Sequence, residues 1–477
     1  MRVCPSQGFS EYGAKGRGAD YCLAATGLSQ WNVPLRYILA ADSCLSPDIG
    51  EIMHRLFWIP VVVLIPSLQG ASVPTFHKDV EPIMQRHCQG CHRPGEVAPM
   101  SFLTYEQVRP WAAAIRQAVT QKKMPPWGAD PAHGRFSNDP SLTSAELQTL
   151  TAWIAAKAPE GNPKDAPKPL EFVDGWNIQK PDMVVEMPQS YSVPASGTID
   201  YTYFVMPTKL TEDRWVQAVE VRPGNRSVLH HMIVYVREPG NSWMKNAPVG
   251  GAYVPPPGGS PGGAEYLIGY APGKPPLRMA PGQAKLIKAG SDLVFQMHYT
   301  SNGKPGMDQS KVGLIFSKEA PKERVYTVMA VNGSFRIPPG AGDHPVNSKL
   351  EFADDAHLVG LWPHMHVRGK AFRFELVDKA GERQTLLNVP AYDFNWQIRY
   401  EPEEPLKLRS GSIIECFAKF DNSVNNKFNP DPGKEVRWGD QSWEEMMIGF
   451  MDISFDARKS PADILKRSAG PARTSLR

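Results

Sequence analysis

From about residue 170 onward the chain is written as short strands broken by turn residues, and this texture limits its fold more than any other feature. The stretches "WVQAVEVRPGN", "VLHHMIVYV", "DLVFQMHYTSNGKPG", "AFRFELVDKAGERQTLLNV" and "SGSIIECFAKFDNS" alternate apolar with polar residues and are separated by Gly, Pro, Asn and Ser turns. A period of two buries one side of a strand and wets the other. Repeated short strands with such turns predict antiparallel sandwiches, and about 290 residues suffice for two of them. The 46 prolines and 40 glycines fit that reading. A chain of 477 residues is also too long for one core, so several domains are expected. A net charge of +3 gives no electrostatic reason to expect a nucleic-acid partner.

The part before residue 170 reads differently. "TYEQVRPWAAAIRQAVTQ" spaces Val108, Trp111, Ala112, Ile115 and Val119 at helical intervals. "LTSAELQTLTAWIAAKAPEG" opens with the capping box Thr143-x-x-Glu146 and then sets Leu147, Leu150 and Ile154 on one stripe. Ahead of these helices lies "RHCQGCH", with the spacing C-x-x-C-H. That spacing is the attachment site of c-type haem: Cys88 and Cys91 would bond the porphyrin edge, and His92 would ligate the iron. Zinc would need a second cysteine pair, and a thioredoxin-like site would need a βαβ setting. Neither is present in the pattern. Met124, in "KKMPPW", precedes two prolines that keep the chain out of a helix, so it is the expected distal ligand, with Met100 as the alternative. The whole stretch resembles a small class I cytochrome c. A methionine-capped iron argues against a haem peroxidase, because the sixth position would be blocked. "APEGNPKDAPKP" reads as a Pro-rich linker.

Residues 53–72, "MHRLFWIPVVVLIPSLQGAS", have a positive Arg55, an apolar run from Leu56 to Ile65 and small residues Gly70, Ala71 and Ser72. This is the layout of a secretory signal peptide, with Met53 as the expected start and residues 1–52 as an upstream extension. The alternative is a leader before a membrane anchor, although the run is short for a span and contains Pro60. Cleavage would leave Cys88, Cys91 and Cys416, a periplasmic or secreted protein, and no stable membrane span.

Seven of the 12 histidines fall in the β region. His364 and His366, in "GLWPHMHVRGK", are two apart and would project from one face of a strand. His230 and His231 are adjacent, and an adjacent pair converges on one ion only where the backbone is irregular. His298 lies in "FQMHYT". Imidazole suits copper, zinc, iron or nickel. Any one of these histidines alone reads as an ordinary strand residue; His344 and His357 are left as structural.

In order, "LHHMIVYV", "QMHYT", "PHMHVRGK" and "SWEEMMIGF" resemble the motifs of the copper type II, ascorbate-dependent monooxygenases, the peptidylglycine α-hydroxylating and dopamine β-monooxygenase family. The resemblance runs from about residue 185 to 456. It implies two jelly-roll-like antiparallel sandwiches, each holding one copper across a solvent-filled cleft. His230, His231 and His298 would hold the electron-transfer copper. His364, His366 and Met446 would hold the oxygen-activating copper, with Met447 as the alternative thioether. A soft thioether favours Cu(I). The implied reaction is hydroxylation of an organic C–H bond by O2. The sequence departs from the peptide-hydroxylating members where they grip a carboxylate: those positions hold Trp362, Ile448 and Phe450, which predicts an apolar or aromatic-lined pocket. Family members also carry disulfides, whereas after the expected cleavage this chain keeps only Cys416 outside the haem motif.

The expected organisation is therefore multidomain: an extension at 1–52, a signal peptide at 53–72, a small all-α cytochrome c domain at 73–160, a linker at 161–184, two all-β copper sandwiches at 185–322 and 323–460, and a loose tail at 461–477. One haem c and two mononuclear coppers are expected, with a small organic substrate, O2 and a one-electron donor that is an ascorbate-like reductant or a cytochrome. Electrons would pass from haem to the His230/His231/His298 copper and then to the other. The Gly- and Pro-rich stretch 247–276 would be a lid, a docking face or a plain surface loop. The competing expectation is a non-catalytic haem and copper protein for electron transfer or copper binding.

Overall fold

The computed structural model describes residues 72–172, 175–256 and 263–466. The expected extension, nearly all of the expected signal peptide and the tail beyond residue 466 lie outside them. The described chain is mostly β-sheet with a few short helices. Among the described residues, no helix is long and apolar enough to cross a membrane.

Glu81–His87, Tyr105–Val108, Ala112–Thr120 and Ser144–Ala155 are helical and surround a small core of their own, with Phe76, Met84, Val108, Leu150 and Trp153 fully buried. The capping box forms: Thr143 Oγ1 accepts from the Glu146 amide, and the Glu146 carboxylate accepts from the Thr143 amide at 2.9 Å. Trp111 departs from the expected apolar stripe. Pro110 tightens residues 109–111 into a 3₁₀ turn, which shifts the phase and leaves Trp111 at the surface while Ile115 and Val119 point inward.

Two sandwiches follow. In the first, Met183–Glu186, Lys311–Phe316, Arg214–Arg222 and Gln283–Ile287 face Thr202–Pro207, Asp292–Tyr299, Leu229–Arg237 and Glu265–Tyr270, with Val219, Leu267, Phe295 and Met297 buried between them. In the second, Glu323–Val331, Ile448–Asp456, Ala356–His364 and Leu406–Leu408 face His344–Glu351, Ile413–Phe420, Gly369–Val377 and Arg383–Val389 around Phe372, Phe374, Phe420 and Met447. A short parallel pairing of Gln283 and Ala284 with Glu323 and Arg324 merges one sheet from each into a continuous sheet. Buried charges cross the same seam. Lys285 donates to the Tyr266 carbonyl at 2.8 Å and to Thr327 Oγ1 at 2.6 Å, and lies 3.6 Å from Asp452. Arg324 pairs with Glu265 at 2.6 Å.

Two connecting segments are more tightly held than their composition implies. In the expected linker, the Ile178 amide donates to Glu220, Ile178 is fully buried, and the Lys168 carbonyl accepts from Gln85. Between the third and fourth helices, residues 127–138 cross to the second sandwich. Trp127 and Phe136 pack on Tyr400, and the Asp130 and Ser137 amides donate to the Asn388 and Glu401 carbonyls, each at 2.8 Å. The first residues of the expected loose tail are held against the second sandwich. Pro461–Ile464 is a helical turn, and Ile464 is buried in the second core.

Candidate metal centre

His231 and His298 are directly opposed on paired strands, and the register slips between Leu229 and His231. The slip is a bulge at His230, the irregularity that adjacent histidines need in order to converge. His230 Nδ1 lies 3.1 Å from His231 Nδ1, and His298 Nδ1 lies 3.2 Å from the same atom. Candidate ligand atoms of the three residues all fall within 4.8 Å of one another. Two nitrogens bound tetrahedrally to one ion at about 2.0–2.1 Å would be about 3.3 Å apart, so these separations suit a shared ion. Burial lowers the pKa of all three rings, and neighbouring imidazoles add to the shift at His231 and His298, bringing His298 to about 3. Their lone pairs are therefore free at neutral pH, as metal binding requires. Tyr201 Oη lies 3.3 Å from His231 Nε2 and fixes that ring from behind.

His364 ends the strand Ala356–His364, opposite Ile448, whereas His366 lies beyond it in the following turn. The two were expected on one strand face. Their rings still come together, with centroids 5.3 Å apart and planes at 89°. Glu445 makes this possible: its carboxylate accepts from the amides of His366 at 2.8 Å and Arg368 at 2.6 Å, fastening the turn beside Met446. Burial raises Glu445 to about 8 despite those bonds and the nearby Arg368. His364 Nδ1 meets Gln397 Oε1 at 2.8 Å, and His366 Nδ1 faces the Glu444 carbonyl at 3.3 Å. Nδ1 then carries the proton on each ring, which leaves the lone pair on Nε2. Met446 lines the same cavity as His364, while Met447 is fully buried in the second core.

That cavity has a volume of about 250 Å³ and lies between the sandwiches. His231 from one histidine group and His364 from the other both border it. Trp362 and Phe450 are cross-strand neighbours stacked at 5.2 Å, and Tyr266 from the first sandwich closes on both, at 5.7 and 5.4 Å. Phe394 stands between the groups, 5.7 Å from the His230 ring and 6.0 Å from the His366 ring. The stretch 247–276 is not simply a loop: Glu265–Tyr270 is a fully buried strand, and Tyr266, Tyr270 and Lys274 line the cavity.

In the helical segment, Cys88 caps Glu81–His87 and Cys91 follows one turn later; both thiols are free. Burial pushes Cys88 up to about 12 and also raises Cys91. His92 stacks flat on Phe102, with centroids 4.3 Å apart, and its Nδ1 is buried without a hydrogen-bond partner. Burial lowers its pKa, outweighing a backbone contact with Met100. Met100 packs against the core that Cys88 borders; Met124 is half-buried and outside that core. Glu96 pairs with Arg226 at 3.4 Å, four residues before His230, and Arg226 donates to the Tyr270 hydroxyl at 3.1 Å.

Sequence reasoning missed Tyr201, Gln397, Phe394 and Lys274. Each is a single polar or aromatic residue with no spacing signal, and each reaches the site only through the tertiary fold. Glu445 was visible as part of the acidic context before Met446, but its bonds to the turn were not.

No protein-family model and no curated protein matches the sequence. Among solved structures, similar chains include the infectious bursal disease virus Gx strain structure, at 9% identity over 59% of this chain and 74% of that one with a TM-score of 0.18. The major capsid protein P2 of bacteriophage PM2 matches at 8% identity over 60% and 98% with a TM-score of 0.24. Allantoicase from Saccharomyces cerevisiae matches at 7% identity over 49% and 80% with a TM-score of 0.15.

Proposed function

We propose that the chain is an exported copper-dependent monooxygenase that hydroxylates an organic C–H bond with O2, taking electrons through a c-type haem carried by a cytochrome c-like helical segment. One observation carries this reading: His231, from a three-imidazole cluster, and His364 and Met446, from a separate group, border one aromatic-lined cavity. Copper at the two groups would supply one-electron transfer and activation of O2. His230, His231 and His298 would hold one ion through Nδ1; His364, His366 and Met446 would hold the other, with a thioether suited to the reduced state. Tyr201, Gln397 and the Glu444 carbonyl keep the rings aimed. Trp362, Phe450 and Tyr266 exclude water beside His364.

For the haem, Cys88, Cys91 and His92 offer the covalent and axial positions, and the unpartnered Nδ1 and flat stacking of His92 are compatible with a ring held for that purpose. The Glu96–Arg226–Tyr270 chain supports electron entry on the side of the His230 cluster.

Metal analysis and oxygen consumption test the proposal. Two coppers and one haem are expected per chain, with O2 uptake that needs a reductant and copper. His298→Ala should remove one copper, and His364→Ala should abolish uptake. One copper per chain, with no uptake under any reductant, would leave an electron-transfer or copper-binding protein.

A further inference from the structure

Among the described residues that line the aromatic cavity, Lys274 is the cation, and no described carboxylate is paired with it. Lys274 follows the strand Glu265–Tyr270 and lines the cavity together with His364, Met446, Trp362 and Phe450. Its Nζ lies over the Trp362 ring, 5.2 Å from the centroid, and makes no hydrogen bond or ion pair with the described residues. A Cβ built on Gly269 would stand 3.7 Å from that Nζ and would overlap the Tyr266 hydroxyl, so the bare backbone at Gly269 leaves room for both groups. The residue as a whole is half-buried, yet burial of its charged end, then Arg399, lowers its pKa to about 8. The carboxylates that act on it are engaged elsewhere. Asp452 holds Lys285, Arg399 and Thr327, and Glu401 pairs with Arg399. Asp440 also borders the cavity but is not among the charges acting on Lys274.

A desolvated ammonium without a counterion is costly, and it is placed where an incoming anion would relieve that cost. We propose that Lys274 is the substrate anchor, and that the substrate is a small organic acid whose carboxylate pairs with Nζ while its apolar body lies against Trp362, Phe450 and Tyr266. This rests on the cavity being the substrate site of the proposed oxygenase. Lys274 takes the role for which Trp362, Ile448 and Phe450 are unsuited, from a different element and the other sandwich.

The test is equilibrium binding to copper-free protein, read by calorimetry, with phenylacetate and hexanoate as anionic probes and phenylacetamide as the neutral counterpart. Wild type should bind phenylacetate at least tenfold more tightly than phenylacetamide. Lys274→Met should erase that preference, and Lys274→Arg should keep most of it. The proposal is overturned if acid and amide bind equally, if the preference survives in Lys274→Met, or if neither anion binds. Because no copper or O2 is involved, failure here leaves the oxygenase reading to its own test.

Discussion

Asp452→Asn should loosen the seam between the two sandwiches by several kcal/mol. The Asp452 carboxylate accepts from Thr327 Oγ1 at 2.5 Å and Arg399 Nε at 2.9 Å and faces Lys285 at 3.6 Å; Lys285 and Asp452 are both almost wholly buried. Lys285 otherwise meets neutral groups among the described residues, the Tyr266 carbonyl and ring and the Thr327 hydroxyl, and the next carboxylate, Glu265, is paired with Arg324. Removing the charge therefore strands a buried ammonium, which costs about 3–5 kcal/mol. Lys285→Met leaves Asp452 still paired with Arg399 and should cost less, about 1–3 kcal/mol. The double variant should be more stable than the sum of the two losses by about 1–3 kcal/mol. Urea unfolding followed by tryptophan fluorescence measures this, comparing midpoints of the leading transition at unchanged slope. A loss below about 1 kcal/mol for Asp452→Asn, or strict additivity in the double variant, would refute the view that this network holds the sandwiches together.

Met447→Ala should cost about 2–5 kcal/mol of stability, because its side chain fills the second core, whereas Met446→Ala should cost less and, on the proposed copper assignment, remove the sulfur signal from the X-ray absorption spectrum of the Cu(I)-loaded protein. Gly449→Ala should destabilise by about 1–3 kcal/mol, since the new Cβ would overlap Cys416 Sγ, and Cys416→Ala should restore part of the loss in thermal unfolding. Partial burial pushes the Glu146 carboxyl up, but bonds from Arg86, Thr143 and His87 prevail and hold it at about 2. A depressed acid stabilises in full above its unfolded pKa, and that contribution is lost as pH falls through the folded value. Glu146→Gln should thus be less stable than wild type by about 1–2 kcal/mol at pH 7, with the gap closing between the ordinary carboxyl value of 4.5 and about 2, read from amide exchange across Ser144–Ala155 at each pH. A fragment starting at residue 175 should express poorly or aggregate, because it uncovers Tyr400 and Leu386, on which residues 127–138 rest.

The β texture and the Thr143 capping box were legible because both are local: alternation and a three-residue spacing need no tertiary contact. The adjacent histidines were half legible. Their convergence demanded an irregular backbone, but nothing in "VLHHMIVYV" says where the register slips; the pairing with Asp292–Tyr299 decides it. The "H-x-H" spacing suggested a strand face, yet the strand stops at His364 because Glu445 captures the next amides. Lys274 escaped notice because one lysine in a Gly- and Pro-rich stretch looks like solvent-facing sequence. Only the approach of the other sandwich turns it into a cavity residue.

The same contrast bears on how the helical segment works. A Pro-rich connection suggests a free tether, which would raise the effective concentration of a redox partner without fixing its position. The folded chain is held instead at three places: Ile178 on Glu220, residues 127–138 on the second sandwich, and Glu96 on Arg226. The second of these reaches the cavity wall. Trp127 and Phe136 pack on Tyr400, whose backbone exchanges hydrogen bonds with Leu361, the residue before Trp362. Packing on one side of Tyr400 thus helps set the strand that presents Trp362 and His364 on the other. The helical segment is then part of the scaffold of the site, and the proposed electron path would have a fixed length rather than one averaged over the motions of a tether.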